Sequence, residues 1–165
     1  MNNEELIKQM TDYVMDVLEE KRSEFAGFAV CPFVKADRIS DQLHLDVFDN
    51  KQETLMNVVT RFIKSGKRSA LVAQPNEKIS GSETKGYQEF INVVLEEFGM
   101  GHILALCFNP NDELEVNGYN PRSRAPFFVI NMAYKEHLKK SHEALQKTEY
   151  YNNFSDTYKK YLNVK

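Results

Sequence analysis

The chain lacks tryptophan and has only two cysteines, Cys31 and Cys107, in 165 residues. Two thiols with no CxxC pair exclude a disulfide framework and predict reduced thiols, hence a cytoplasmic location. There is no HExxH and no paired Cys/His spacing of the kind that holds zinc. A surplus of positive charge is missing as well. The formal net charge is −3 with 27% charged residues, so the basic field of a nucleic-acid binder is absent. No apolar run approaches the roughly 18 residues that a membrane span needs. The opening stretch MNNEELIKQMTDYVMDVLEE is acidic and amphipathic, where a signal peptide has a basic start, a continuous apolar core and a small-residue cleavage site. Neither nucleic acid nor membrane is expected as a partner.

What is present is enough apolar residue to build a core. At 42% hydrophobic over 165 residues, the chain falls in the range of one domain of roughly 100–200 residues, and residues 1–165 are read as a single domain. From about Glu4 to Arg22, Ile7, Met10, Val14, Val17 and Leu18 recur at helical spacing. FAGFAVCPFV, Phe25 to Val34, is too apolar for a linker, yet Gly27 and Pro32 interrupt regular structure, so it reads as a buried irregular segment holding Cys31. Gln42 to Phe48 alternates as a half-buried strand. Asn50 with Glu53 opens a helix whose stripe Leu55, Val58, Val59, Phe62, Ile63 ends at Gly66. Ser69 to Gln74 is a short buried strand, followed by a loop to Gly81.

Ser82 is placed to cap a helix carrying Tyr87, Phe90, Ile91, Val94, Leu95 and Phe98 on one wide stripe, closed by Gly99. His102 to Phe108 is the most hydrophobic strand and is expected at the centre of the sheet. A further strand runs from Phe127 to Met132, and helices follow over Tyr134–Leu145 and Tyr151–Leu162. The aromatic stripe of the last one, Tyr151, Phe154, Tyr158 and Tyr161, either closes the domain's own core or docks a partner. Strand and helix alternate, so the fold class is α/β (α+β): a mixed sheet of about four strands covered by helices, with an N-terminal and a C-terminal helix.

Chemistry concentrates between the last two strands, where two Asn-Pro steps, Asn109-Pro110 and Asn120-Pro121, precede Arg122 and Arg124. Two guanidinium groups flanking Ser123 in a Pro-bounded turn present a forked donor set for a carboxylate or phosphate, or are solvated charges of a surface loop. The expected ligand is thus a small, anionic molecule. Cys31 is either a buried small hydrophobe or a thiolate ligand or nucleophile, and no spacing supplies it with a base. His44 shares a strand face with Asp46, and His102 lies at a strand end. Both are candidates for ligation or acid/base work beside a plain solvated reading. His137 and His142, five apart, fall on different helix faces and read as solvated.

CPF at Cys31–Phe33, a downstream Arg38, FNP at Phe108–Pro110 and NPRSRAPFFVIN from Asn120 to Asn131 together resemble two groups of small bacterial proteins. One comprises uncharacterised domains with the pattern CPF … FHP … N … RSPYP. The other is the YqcI/YcgG family, with HP-x-S-S-R followed by a P-x-L-V-F-N strand, some members of which are haem-dependent N-oxygenases of amino-acid-derived substrates. The likeness covers most of the chain through short motifs. It implies catalytic roles for Cys31, Asn109 and Asn120, which match the CPF cysteine, the second residue of FHP and the histidine of HP-x-S-S-R. It implies substrate contacts for Arg122, Arg124 and Asn131. Against RSPYP the fit is gapless, with Arg122, Ser123 and Pro126 identical, whereas Arg124 meets the terminal Arg of the other motif only if one residue is dropped. Both family histidines are Asn here, and amide side chains are poor iron ligands. Haem, if bound, then depends on Cys31, His44 or His102. The expectation is a haem-dependent oxygenase acting on a small amino-acid-like substrate, with a non-haem binding protein or a thiol-dependent enzyme as the alternative.

Overall fold

The computed structural model of the chain describes residues 1–162 and Val164. Helix α1 (Asn3–Tyr13) starts at Asn2, whose Oδ1 accepts from the Glu5 N–H at 2.9 Å while Glu5 Oε2 accepts from the Asn2 N–H at 3.0 Å. A wider π-helical turn, Val14–Leu18, ends it short of the expected Arg22 and buries Val14, Val17 and Leu18. The segment before Cys31 is irregular as far as Val30, with Phe25, Ala29 and Val30 buried and Gly27 exposed. Pro32, however, stands at the first position of a helix, α2 (Pro32–Ile39), because a residue with no N–H and a fixed φ loses nothing there.

Strand β1 (Leu43–Val47) leads to α3 (Leu55–Ser65), which is capped by Thr54 with Asn57 rather than by Asn50, and which ends on Gly66 at φ 68°. Strand β2 (Ser69–Gln74) and α4 (Thr84–Glu97) follow, the latter entered through a turn capped by Ser80 and Glu83 rather than by Ser82. Strands β3 (Ile103–Phe108) and β4 (Phe128–Tyr134) flank the long loop, and α5 (Lys135–Gln146) and α6 (Asp156–Tyr161) complete the chain. The C-terminal helix is thus shorter than its expected start at Tyr151.

The four strands form one mixed sheet in the order β1-β2-β4-β3, with β1 and β2 parallel and both contacts of β4 antiparallel. The α/β class and the helix-covered mixed sheet match the reading from sequence. Alternation along β4 splits the core into two layers. Phe128, Ile130 and Met132 pack with Val58, Phe62, Ile91 and Leu95 of α3 and α4. Val129 on the opposite face packs with α1, the Cys31 segment and the aromatic C-terminus. Among the described residues no helix is long and apolar enough to cross a membrane.

Strand β3 lies at an edge, contrary to its expected central place. It is fully apolar because side chains stand in for a neighbouring strand. Asn92 accepts from the Ala105 N–H at 2.8 Å and donates to its carbonyl at 2.9 Å. Gln88 accepts from the Cys107 N–H at 2.8 Å, and the Tyr161 hydroxyl donates to the Cys107 carbonyl at 2.6 Å. An edge sealed in this way offers few free groups to a foreign strand.

The stripe of α4 is wider than the core it meets. Ile91 and Leu95 are buried, but Phe90 and Phe98, expected inside, are 60% and 63% exposed. The two helix histidines also depart from their solvated reading. His137 Nε2 lies 3.0 Å from Oδ2 of the buried Asp37, which also accepts from Ser69 Oγ at 2.6 Å, tying α5, α2 and β2 together. His142 is buried with Leu138 and Leu145, its Nδ1 against the Tyr151 hydroxyl.

Candidate functional site

The loop between β3 and β4 is held by its asparagines. Asn109 Nδ2 donates to the Ile79 and Ser80 carbonyls at 3.1 and 3.2 Å and to Thr84 Oγ1 at 2.9 Å, while its Oδ1 accepts from the Asn111 N–H at 2.9 Å. The backbones approach so closely that a Cβ on Gly81 would lie 2.1 Å from the Asn111 carbonyl oxygen, a contact only glycine permits. Asn120 Oδ1 accepts from the N–H groups of Arg122 and Ser123 at 3.0 and 3.2 Å, and its Nδ2 donates to the Asp112 carbonyl. The amides of both residues are thus committed to folding the loop and are not presented to a ligand.

Arg122 and Arg124 sit two apart in a 3₁₀ turn, Arg122–Arg124, where a repeat of about three residues sends such neighbours in different directions. They form no fork. Arg124 points outward, its side chain 51% exposed, near Glu20 at 3.9 Å and the Tyr119 hydroxyl at 3.4 Å. Arg122 points inward and is 2% exposed. Its Nη1 donates to Asp112 Oδ2 at 3.0 Å and to the Cys107 carbonyl at 3.3 Å, and its guanidinium lies 4.1 Å from the Tyr161 ring centroid and 5.3 Å from that of Tyr158. Burial opposes the charge, but the Asp112 carboxylate at 3.0 Å and the faces of the Tyr158 and Tyr161 rings outweigh it and hold Arg122 ionised. The Arg122–Asp112 pair carries no net charge.

Arg122 also lines a cavity of about 40 Å³ between the sheet and the aromatic C-terminus, shared with Cys31 and Asn131. Three residues singled out from sequence, far apart in the chain, therefore meet. Leu106 and Asn131 belong to the floor, Tyr13, Phe25 and Phe108 to the sides, and Tyr150, Phe154 and Tyr158 to the roof. Hydroxyls fasten these walls: Tyr13 donates to the Pro121 carbonyl at 2.9 Å and Tyr150 to the Val30 carbonyl. The C-terminal aromatic stripe thus closes the domain's own core.

Asn131 is the anomaly. It occupies the middle of the sheet, paired in register with Leu71 on one side and Leu106 on the other. It is 3% exposed, its Oδ1 is buried without a partner, and neither end of its amide makes a hydrogen bond among the described residues. Native cores rarely leave a buried amide unbonded.

Cys31 is the N-cap residue of α2, a position that commonly favours thiolate. Burial is the larger effect: it pushes the thiol up to about 12, against the opposing pull of the nearby Val34 N–H and the charge of Arg122. The thiol is therefore neutral at physiological pH. Cys107 faces the opposite core layer, its thiol likewise raised to about 12 by burial. Burial also raises the hydroxyls of Tyr13, Tyr150, Tyr151 and Tyr158, which leaves the cavity lining uncharged apart from the internally paired Arg122.

His44 and His102 lie outside the cavity. His44 stacks on Phe62 at 6.5 Å with Nε2 3.5 Å from Asp46, and His102 stacks on Tyr134 at 5.7 Å. Burial raises the Asp46 carboxyl, but the nearby His44 imidazole and the hydrogen bonds from Arg61 prevail and lower it to about 2. These residues do not fit haem as a set. Among the described residues no imidazole lines the cavity that holds Cys31, and burial keeps its thiol protonated.

Sequence reasoning did not single out the buried Asp112 partner of Arg122, Tyr13, or the His142–Tyr151 contact. The signal for His142 was present, since it lies four residues after Leu138 and three before Leu145. Asp112 carried none, because its partner is ten residues away in an irregular loop. Comparison with protein-family models, curated proteins and solved structures gives no match to the chain.

Proposed function

We propose that the chain is a small-molecule-binding protein whose ligand occupies the cavity bounded by Cys31, Arg122 and Asn131. The observation that carries this reading is Asn131: an amide without a hydrogen bond in the middle of a sheet is costly to the empty protein, and a ligand that bonds it recovers that cost. Convergent polar groups on an otherwise apolar, aromatic cavity are the usual make-up of a small-molecule site. Binding is favoured over thiol catalysis because the Cys31 proton is held by burial and the reactive form of cysteine is the thiolate. A haem oxygenase is disfavoured by the same neutral thiol and because no imidazole among the described residues lines the cavity. The anionic ligand expected from two free arginines gives way to an uncharged one, since Asp112 already neutralises Arg122. Two free, buried thiols fit a reducing compartment such as the cytoplasm.

The test is a titration of small polar fragments into ¹⁵N-labelled protein. Binding in the cavity moves the backbone peaks of Cys31, Leu106, Arg122 and Asn131 together and saturably. Fragments that move only exposed positions, Arg124 or Phe90 for example, would sink the assignment.

A further inference from the structure

The polar atoms of the cavity also define what kind of molecule it takes. Asn131 offers both an acceptor and two donors on one planar group, and none of them is used. Interchanging its Oδ1 and Nδ2 leaves that edge a donor beside an acceptor. The flanking residues in register, Leu71 and Leu106, have no polar side-chain atom with which to bond it. Among the described residues Arg122 is the one charged group of the lining, and Asp112 pairs it at 3.0 Å, so a carboxylate or ammonium entering here would lose its water without an unpaired counter-ion to meet. The remaining walls are aromatic rings, Phe25, Phe108, Tyr150, Phe154 and Tyr158 among them, which pack well against a flat ring.

Resting on the cavity as the ligand site, we propose that it takes an uncharged planar compound with a cis-amide edge, a lactam or a primary carboxamide, paired to Asn131 by two antiparallel hydrogen bonds. One N–H of Asn131 donates to the ligand carbonyl, and the ligand N–H donates to Asn131 Oδ1. The cavity of about 40 Å³ is well below the roughly 150 Å³ that admits benzene in an engineered core. A ring of this size therefore requires the C-terminal aromatic segment to move outward, against the hydroxyl bonds of Tyr150 to the Val30 carbonyl and of Tyr161 to the Cys107 carbonyl.

Four probes test the class on the full chain, read by the NMR peaks of Cys31, Leu106 and Asn131: 2-pyridone, N-methyl-2-pyridone, which lacks the donor, benzene, which lacks both groups, and benzoate. The expected order places 2-pyridone first, with affinity reduced about tenfold or more by N-methylation or by Asn131→Leu, the usual effect of losing a hydrogen bond in a buried site. The N-methyl comparison needs no variant, so it stands even if Asn131→Leu misfolds. Equal binding of benzene and 2-pyridone, or tighter binding of benzoate, overturns the cis-amide class while leaving the cavity as a site. If none of the probes moves the cavity peaks, the cavity reading falls and this inference falls with it.

Discussion

Replacing Asn131 with leucine should stabilise the ligand-free protein, an uncommon result for a polar-to-apolar change that touches no surface. Asn131 lies between Leu71 and Leu106 in the sheet, is 3% exposed and has no hydrogen-bond partner among the described residues. An unbonded buried amide costs about 1–3 kcal/mol in mutational series. Leucine has the branched skeleton of asparagine but is bulkier; the adjoining cavity of about 40 Å³ takes up the extra volume, and leucine matches the flanking residues, so about 1–2 kcal/mol is returned. For a chain of this length, about 1 kcal/mol moves the melting temperature by about 2–4 °C, so a rise of several degrees is expected. Urea unfolding followed by circular dichroism is the assay: the midpoint should move up with an unchanged slope. A loss of about 1 kcal/mol or more would refute the reasoning, because it would mean that the amide is already satisfied in the empty protein and is not held open for a ligand. Sites kept for function at the expense of stability behave in the first way.

The buried ion pair should respond in the opposite direction. With Asp112 and Arg122 side chains 4% and 3% exposed, Asp112→Asn strands a guanidinium in the core and should destabilise by about 3–5 kcal/mol, whereas Asp112→Leu combined with Arg122→Met should cost less than Asp112→Asn alone; denaturant midpoints decide between them. Burial lowers the His142 pKa below 6.5, so below that pH the unfolded chain takes up a proton that the folded one resists. The stability contribution is complete above pH 6.5 and declines as pH falls, with a slope of at most about 1.36 kcal/mol per pH unit. His142→Gln should flatten the melting-temperature profile between pH 7.5 and 5, and an unchanged profile would exclude His142 as its source. Cys31 in the folded protein should react with iodoacetamide far more slowly than a free thiol at pH 8, since burial holds its proton; mass spectrometry after timed quenching reads the rate. Added hemin should give no stoichiometric Soret band that shifts on reduction under carbon monoxide, a colour change that would reinstate the haem reading.

The elements set by periodicity were legible: α3 with its stop at Gly66 and β2 over its full length lie where spacing puts them. Misreadings arose where tertiary contacts replace a local rule. Pro32 interrupts a strand or a helix interior but opens a helix. Ile103–Phe108 has the composition of a central strand because Asn92, Gln88 and Tyr161, distant in sequence, seal its edge. Arg122 and Arg124 look like a pair in a string of letters, and the 3₁₀ turn separates them. Part of the site was legible too. Cys31, Arg122 and Asn131 meet in one cavity, Asn131 being the lone polar residue of an apolar strand segment, FFVINM. Asn109 and Asn120 turned out to hold the loop, and His44 and His102 lie elsewhere, because hydrogen-bond commitments of amides and imidazoles depend on neighbours that spacing does not identify.

The side-chain amide of Asn131 reports most directly on whether the cavity is a binding site. Its two ¹H–¹⁵N resonances, assigned by their loss in Asn131→Leu, should shift downfield and saturate as 2-pyridone is added, in step with the backbone peaks of Cys31 and Leu106. Resonances that stay fixed through the titration, while peaks elsewhere move, would contradict ligand binding at Asn131.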